Sequence, residues 1–161
     1  MLFRSTGGAS YVHARVTDDT DFHEATTDAD FPNGRILVSK RLPFQPDWSF
    51  NLNSDYVVSL GKGDLTLSAG AVAKGSRIGA TISETRAPVL KSYVLFNTAV
   101  TYAIGKVEIG AFVNNLFDKK YYNSFIEKST LESVFGPGPL ASDLGIIGDK
   151  RRYGVRARYR Y

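Results

Sequence analysis

The chain has 161 residues, 43% hydrophobic and 22% charged, with no cysteine and a formal net charge of +4. That is the length of one ordinary domain, too apolar for a disordered chain, and the missing cysteines exclude a disulfide scaffold, a thiolate zinc site and a cysteine nucleophile. The apolar runs fall far short of the roughly 20 residues of a membrane helix, which leaves open a membrane β-barrel, whose strands hide their apolar half by alternation.

The N-terminus, Met1-Leu2-Phe3-Arg4-Ser5-Thr6-Gly7-Gly8, lacks the basic start, apolar stretch and small-residue cleavage site of a signal peptide. Residues 8–17 form a weak strand candidate in which neither face is cleanly apolar. Residues 18–47 are polar, and Asp18, Asp19, Asp21, Glu24, Asp28 and Asp30 put six of the sixteen acids into residues 18–30. His13 and His23 lie ten apart with no ligand spacing, so these histidines and the acids beside them are expected on a solvated loop rather than at a metal.

Clean alternation begins at residues 50–60, where Phe50, Leu52, Ser54, Tyr56, Val58 and Leu60 oppose Asn51, Asn53, Asp55 and Ser59. A period of two is a strand pattern and cannot form one face of a helix. Residues 64–74 repeat it with Leu65, Leu67, Ala69, Ala71 and Ala73. Residues 92–104 carry Val94, Phe96, Thr98, Val100, Tyr102 and Ile104 on one face, and residues 106–114 carry Val107, Ile109, Ala111 and Val113. The last ten residues alternate strictly, with Tyr153, Val155, Ala157, Tyr159 and Tyr161 opposite Arg152, Gly154, Arg156, Arg158 and Arg160. Ten residues also cross a bilayer as a tilted strand. No segment has comparable helical periodicity, so the chain is expected to be all-β.

The connections alternate in length. Gly61-Lys62-Gly63 and Gly105 are tight enough for hairpins, whereas residues 18–47, 75–91 and 118–151 are long and polar. Long structureless loops are uncommon in compact soluble domains. Outer-membrane barrels, by contrast, pair short periplasmic turns with long outer loops. If the last strand ends in the periplasm, both tight turns fall on that side and all three long segments fall outside. Six strands cannot close a membrane barrel, since the smallest have eight, so the chain reads as part of a larger one.

Three motifs carry a family resemblance. Val113-Asn114-Asn115-Leu116-Phe117-Asp118-Lys119-Lys120-Tyr121-Tyr122 resembles the N-L-F-D-x-x-Y signature of TonB-dependent outer-membrane receptors, here Asn115, Leu116, Phe117, Asp118 and Tyr121. The segment from Gly148 to Tyr161 is similar to that family's last strand, departing from it at Lys150, where proline is usual, and at Tyr161 in place of phenylalanine. Leu42-Pro43-Phe44-Gln45-Pro46-Asp47-Trp48-Ser49-Phe50-Asn51 resembles the family's L-P-x-x-P-x-x-x-x-N start of an earlier strand.

The resemblance implies an antiparallel up-and-down meander of about six transmembrane strands, the last part of a 22-stranded outer-membrane barrel with a plugged lumen. Residues 1–161 would then be a C-terminal barrel segment lacking the family's signal peptide, TonB box and plug domain. It implies a role in energised uptake of a scarce nutrient such as a ferric siderophore at the cell outer membrane. The implied partners are the lipid bilayer, the rest of the receptor barrel and its plug, TonB through the missing N-terminal part, and the barrel-assembly machinery. That machinery would read the last strand through Tyr153, Tyr159 and Tyr161.

Each feature has a plainer reading beside it. Asn115 to Asp118 is expected to turn the backbone at a strand end rather than bind a ligand. Arg152, Arg156, Arg158 and Arg160 are expected as a lumen-facing basic row meeting acidic lumen or plug groups. Nucleic acid is not expected as a partner, because Arg and Tyr point to opposite sides of the strand and cannot form one surface. The nine tyrosines fit interface belts or ordinary β-propensity equally well. Gly136-Pro137-Gly138-Pro139 lacks the helix and lysine of a phosphate loop, and Ser142 and Asp143 lack a catalytic partner. No catalytic, cofactor-binding or metal-ligating residue is expected, and no enzyme activity. The alternatives are a soluble basic β-rich protein binding nucleic acid, and a small complete outer-membrane barrel with a further strand near residues 36–40.

Overall fold

The computed structural model describes residues 1–17, 36–37, 39–79, 82–83, 88–136, 138 and 142–161. Six long strands form one sheet in the order β1 (Leu2–Tyr11), β3 (Trp48–Leu60), β4 (Gly63–Lys74), β8 (Tyr93–Ile104), β9 (Val107–Asn114) and β12 (Arg152–Tyr159). Every neighbouring pair is antiparallel, so the chain runs up and down without a crossover.

Three two-stranded ribbons decorate one end: β2 (Ile36–Leu37) with β6 (Ile82–Ser83), β5 (Arg77–Ile78) with β7 (Val89–Leu90), and β10 (Tyr122–Ile126) with β11 (Leu144–Ile147). A short helix, α1 (Lys128–Phe135), links β10 to β11. No helix among the described residues is long and apolar enough to cross a membrane.

The register carries the alternation across all six strands. Phe3, Tyr56, Leu67, Val100, Ala111 and Val155 are successive cross-strand partners, and Arg4, Asp55, Ser68, Ala99, Phe112 and Gly154 form the adjacent row on the opposite face. Directly paired residues share a face. The sheet therefore has one apolar side and one polar side. The apolar side is open: Phe3, Leu67, Ile109 and Val155 are 65%, 45%, 59% and 83% exposed. Buried apolar residues among those described are few (Ala73, Ile78, Leu90 and Tyr93), and they gather at the ribbon end.

Both short turns have glycine first and lysine second, Gly61-Lys62 and Gly105-Lys106, with φ of 64° and 55° at the glycines. A positive φ at the first central residue is the type II′ pattern, whose twist matches that of the flanking strands. The Tyr102 hydroxyl donates to the Leu60 carbonyl at 2.9 Å and braces the first turn.

Two expectations and one alternative are corrected. The first strand runs from Leu2 to Tyr11 rather than over residues 8–17; its ladder with β3 stops at Tyr11, beyond which the Val12 and Val16 hydrogen bonds and the Arg15–Arg41 bridge continue the contact. The long connections carry ribbons and a helix, not featureless loop. In α1 an ion pair one turn apart, Lys128 to Glu132 at 3.1 Å, and the Asp143 carboxylate accepting the Lys128 N–H at 3.0 Å hold a helix too short to show a period. Ile36–Leu37 pairs with Ile82–Ser83 outside the main sheet, so it adds no strand to the wall.

A Cβ at Gly105 would meet nothing within 4 Å, so its substitution tests φ alone. Gly105→Ala should cost about 1–2 kcal/mol, read as a lowered unfolding midpoint in detergent with an unchanged slope.

Candidate functional site

The chemistry of the polar groups concentrates where β9 ends and β12 begins. Asn115 follows β9 with φ of 51° and is 3% exposed. Its Nδ2 donates to the carbonyls of Lys119 (3.0 Å) and Asp149 (2.9 Å), its Oδ1 accepts the Lys119 N–H (2.8 Å), and its own N–H donates to the Asn97 Oδ1 (3.0 Å). The Leu116 N–H donates to the Phe96 carbonyl, and the Asp118 N–H closes a turn onto the Asn115 carbonyl. Asp118, with φ of 50°, accepts the Arg151 N–H on its carboxylate at 2.9 Å. Asparagine and aspartate tolerate this left-handed backbone better than other side chains.

Tyr121 completes the clamp. Its carbonyl accepts the Gly148 N–H, its ring lies against Tyr93 with centroids 4.2 Å apart, and a Cβ on Gly148 would overlap that ring. Phe117 is 71% exposed and meets Phe96 edge-on at 5.4 Å. The motif thus joins the end of β9 to the start of β12, with the Asn115 amide and the Asp118 carboxylate turned onto backbone groups.

In β12, Tyr153 and Tyr159 stand opposite Val113 and Val107 on the apolar face, while Tyr161 lies past the last ladder pair and is fully exposed. Arg152, Arg156 and Arg158 share the polar face. Arg152 pairs with Asp149 and Arg160 with Glu108, each at 3.1 Å, and Arg156 reaches the Thr101 hydroxyl at 3.4 Å.

A second centre had no sequence signal. The described parts of all three long connections converge on β5. The Ile78 carbonyl accepts the Phe44 N–H from the first, Val89 and Leu90 of the second pair with Ile78 and Arg77, and the third sends Tyr122 and Asn123. Arg77, 3% exposed, donates its Nη2 to the Tyr122 and Asn123 carbonyls at 2.9 and 3.0 Å and lies 5.5 Å from the Tyr93 ring centroid. Its Nη1 has no hydrogen-bond partner among the described residues. An isolated arginine between glycines carries no pattern that would have singled it out.

At the start of β3, Asp47 binds Arg15 at 2.9 Å and Arg41 at 3.1 Å, and Arg41 also reaches the Ser76 carbonyl at 2.7 Å. The hydrogen bond from Arg15, reinforced by the charges of Arg41, Arg15 and His13, holds the Asp47 carboxyl below the usual carboxylate range despite partial desolvation. Among the described residues no three metal-ligating side chains converge. His23, Asp19, Asp21 and Glu24 lie outside the described residues.

An antiparallel meander with an exposed apolar side, a polar side and all its long connections at one end defines a segment of membrane β-barrel wall. The TonB dependent receptor-like β-barrel family matches residues 2–116, and the chain belongs to that family. No curated protein matches the sequence. Among solved structures the fold is similar to the ferric-catecholate import receptor Fiu from E. coli K12 in its closed form (TM-score 0.69, 21% identity), covering 98% of this chain and 18% of that one. It is also similar to the siderophore receptor PiuA from Acinetobacter baumannii (0.65, 19%, covering 96% and 19%). A third likeness is to the ferric yersiniabactin uptake receptor FyuA from Yersinia pestis (0.60, 17%, covering 74% and 17%). The chain spans less than a fifth of the length of these receptors.

Asn115→Ala should cost about 2–4 kcal/mol in unfolding measurements, because it strands buried backbone groups and puts alanine at positive φ. Gly148→Ala should cost about 1–3 kcal/mol by displacing Tyr121. A depressed carboxylate stabilises above its unfolded pKa and loses that contribution as pH falls through its folded value. The Val12 and Val16 amides, which donate to the Asp47 and Lys40 carbonyls, should therefore lose hydrogen-exchange protection in acid. In Asp47→Asn they should be poorly protected already at neutral pH.

Proposed function

We propose that the chain is the C-terminal wall of a TonB-dependent outer-membrane receptor, six strands of a 22-stranded barrel. The reading rests on one observation: the apolar row from Phe3 through Tyr56, Leu67, Val100 and Ala111 to Val155 stays in register across every strand and lies open. In water so extended a patch would be a liability; against lipid it is the required surface. The polar face, with Arg152, Arg156 and Arg158, then borders the lumen and its plug. The Gly61-Lys62 and Gly105-Lys106 turns are periplasmic, and the ribbons and α1 stand at the cell exterior.

In this reading the chain contributes wall, outer loops and the final strand ending at Tyr161, through which assembly machinery engages the barrel. Energy delivered through TonB acts on a plug that precedes this segment. The named activities of the similar receptors support a scarce-iron cargo such as a ferric siderophore. The role is uptake, not catalysis.

Neighbouring residues on opposite faces test the wall. Leu67→Arg places a charge in lipid and should cost about 2–4 kcal/mol. Ser68→Arg faces the polar side beside Asp55, with which Ser68 shares a 2.6 Å hydrogen bond, and should cost well under half as much. Unfolding of the bilayer-inserted protein measures both, and equal penalties would defeat the reading.

A further inference from the structure

The apolar face carries a groove at its ribbon end, of about 360 Å³. Trp48 of β3 forms one wall, Phe96 of β8 and Phe117 of the turn after β9 form the other, Val94 lies between them, and Lys119 is also among the lining residues. Trp48 lies across Gly75, where a Cβ would sit 2.8 Å from the indole Nε1. Any other residue there would lever the ring away. Trp48, Phe96 and Phe117 remain 44%, 43% and 71% exposed. The strands beneath the groove are central ones, with their backbone groups already in ladders, so an extended peptide cannot add to them.

Charge gathers at the same end. Lys91, Lys119, Lys120, Lys150 and Arg151 are all exposed, just before β8, just after β9 and just before β12. None makes an ion pair among the described residues, and the carboxylates closest in sequence are engaged, Asp118 with the Arg151 N–H and Asp149 with Arg152. Unmatched cations at the rim of an apolar wall attract anionic lipid, and an aromatic groove beneath them suits an acyl chain.

We propose that this corner of the wall holds one phosphate-bearing membrane lipid, its acyl chain between Trp48 and the Phe96–Phe117 pair and its phosphate on the Lys119 ammonium. The proposal rests on the membrane-wall reading. A free phosphate ion would use the ammonium and leave the groove empty; the lipid uses both.

Trp48 is the chain's single tryptophan, so quenching by bromine on an acyl chain reads the groove directly. The protein is reconstituted in phosphatidylcholine bilayers containing a minor fraction of phosphatidylglycerol, and one lipid at a time is brominated at matched mole fraction. The brominated anionic lipid should quench about fivefold more effectively per mole than the zwitterionic one, the preference expected of a single well-placed cation. Lys119→Gln should cut that ratio at least twofold, Lys119→Arg should keep it, and millimolar inorganic phosphate should leave it unchanged. Equal quenching by the two lipids, or a ratio that Lys119→Gln leaves intact, overturns the lipid site. A ratio abolished by inorganic phosphate assigns Lys119 to a free anion and also overturns it. Quenching by neither lipid means that Trp48 does not meet the bilayer, which overturns the wall reading itself and so separates the two failures.

Discussion

A backbone amide inside a bilayer has no water to bond, so a wall of strands must pair its N–H and C=O groups while turning only apolar side chains outward. Both conditions reduce to register. A slip of one residue at any pairing would move a whole strand's apolar set to the polar side. Two of the five pairings, β3 with β4 and β8 with β9, have their register set by two-residue turns. The other three are interrupted by long connections, where closing the loop carries an entropic cost and fixes nothing about alignment.

Each of those three pairings has a fastening at the ribbon end. The Val12 N–H to the Asp47 carbonyl prolongs β1 against β3, with Asp47 itself held by Arg15 and Arg41. The Ile78–Val89 and Arg77–Leu90 pairs draw the chain after β4 back toward β8. The Asn115–Asp118 turn binds the Asp149 carbonyl and the Arg151 N–H immediately before β12. The family motif therefore does for β9 and β12 what a glycine turn does for β8 and β9. Its polar atoms are engaged with backbone, which leaves little of it to meet a ligand. Arg77 works on a larger scale, tying the second connection to the third through the Tyr122 and Asn123 carbonyls and to β8 through the Tyr93 ring. Taking either carbonyl away would leave the buried guanidinium short of partners, which is costly, so the described parts of these two connections are coupled through Arg77.

How far the sequence could be read follows from the same physics. Strands β3, β4, β8, β9 and β12 were legible because each keeps apolar residues at nearly every second position on one face, and a two-residue period over eight or more positions has no helical equivalent. Strand β1 was misplaced because its outward residues are Phe3, Ser5, Gly7, Ala9 and Tyr11, three of them small, and Gly7-Gly8 resembles a turn more than a strand interior. Helix α1 spans two turns, too few to reveal a period, and depends on Asp143 from beyond the helix. The motif was legible as a turn, whereas its role as a fastening depends on partners at Asp149 and Arg151, distant in sequence. Arg77 was invisible because a buried cation is defined by what surrounds it.

The arginines of β12 show what decides the character of the polar face. Arg152 and Arg160 meet carboxylates of this chain at the two ends of the strand; the Arg152–Asp149 pair is well exposed, where such a contact contributes little, while Glu108 in the other pair is largely covered. Mid-strand the arrangement differs. Arg156 extends across Gly110 to the Thr101 hydroxyl, and a Cβ on Gly110 would crowd that hydroxyl, so the missing side chain makes room for a guanidinium to lie flat on the sheet. Gly154 is covered in the same way by the Phe112 ring. Long side chains lying over glycines keep the middle of this face low, and Asn53, Asn97 and Asn114 bring polar groups to the same shallow surface. In the proposed barrel that is the stretch of wall a plug must lie against and also leave. Amides and one laid-down arginine offer replaceable hydrogen bonds there, which water can substitute as the plug moves, whereas buried ion pairs would resist the separation.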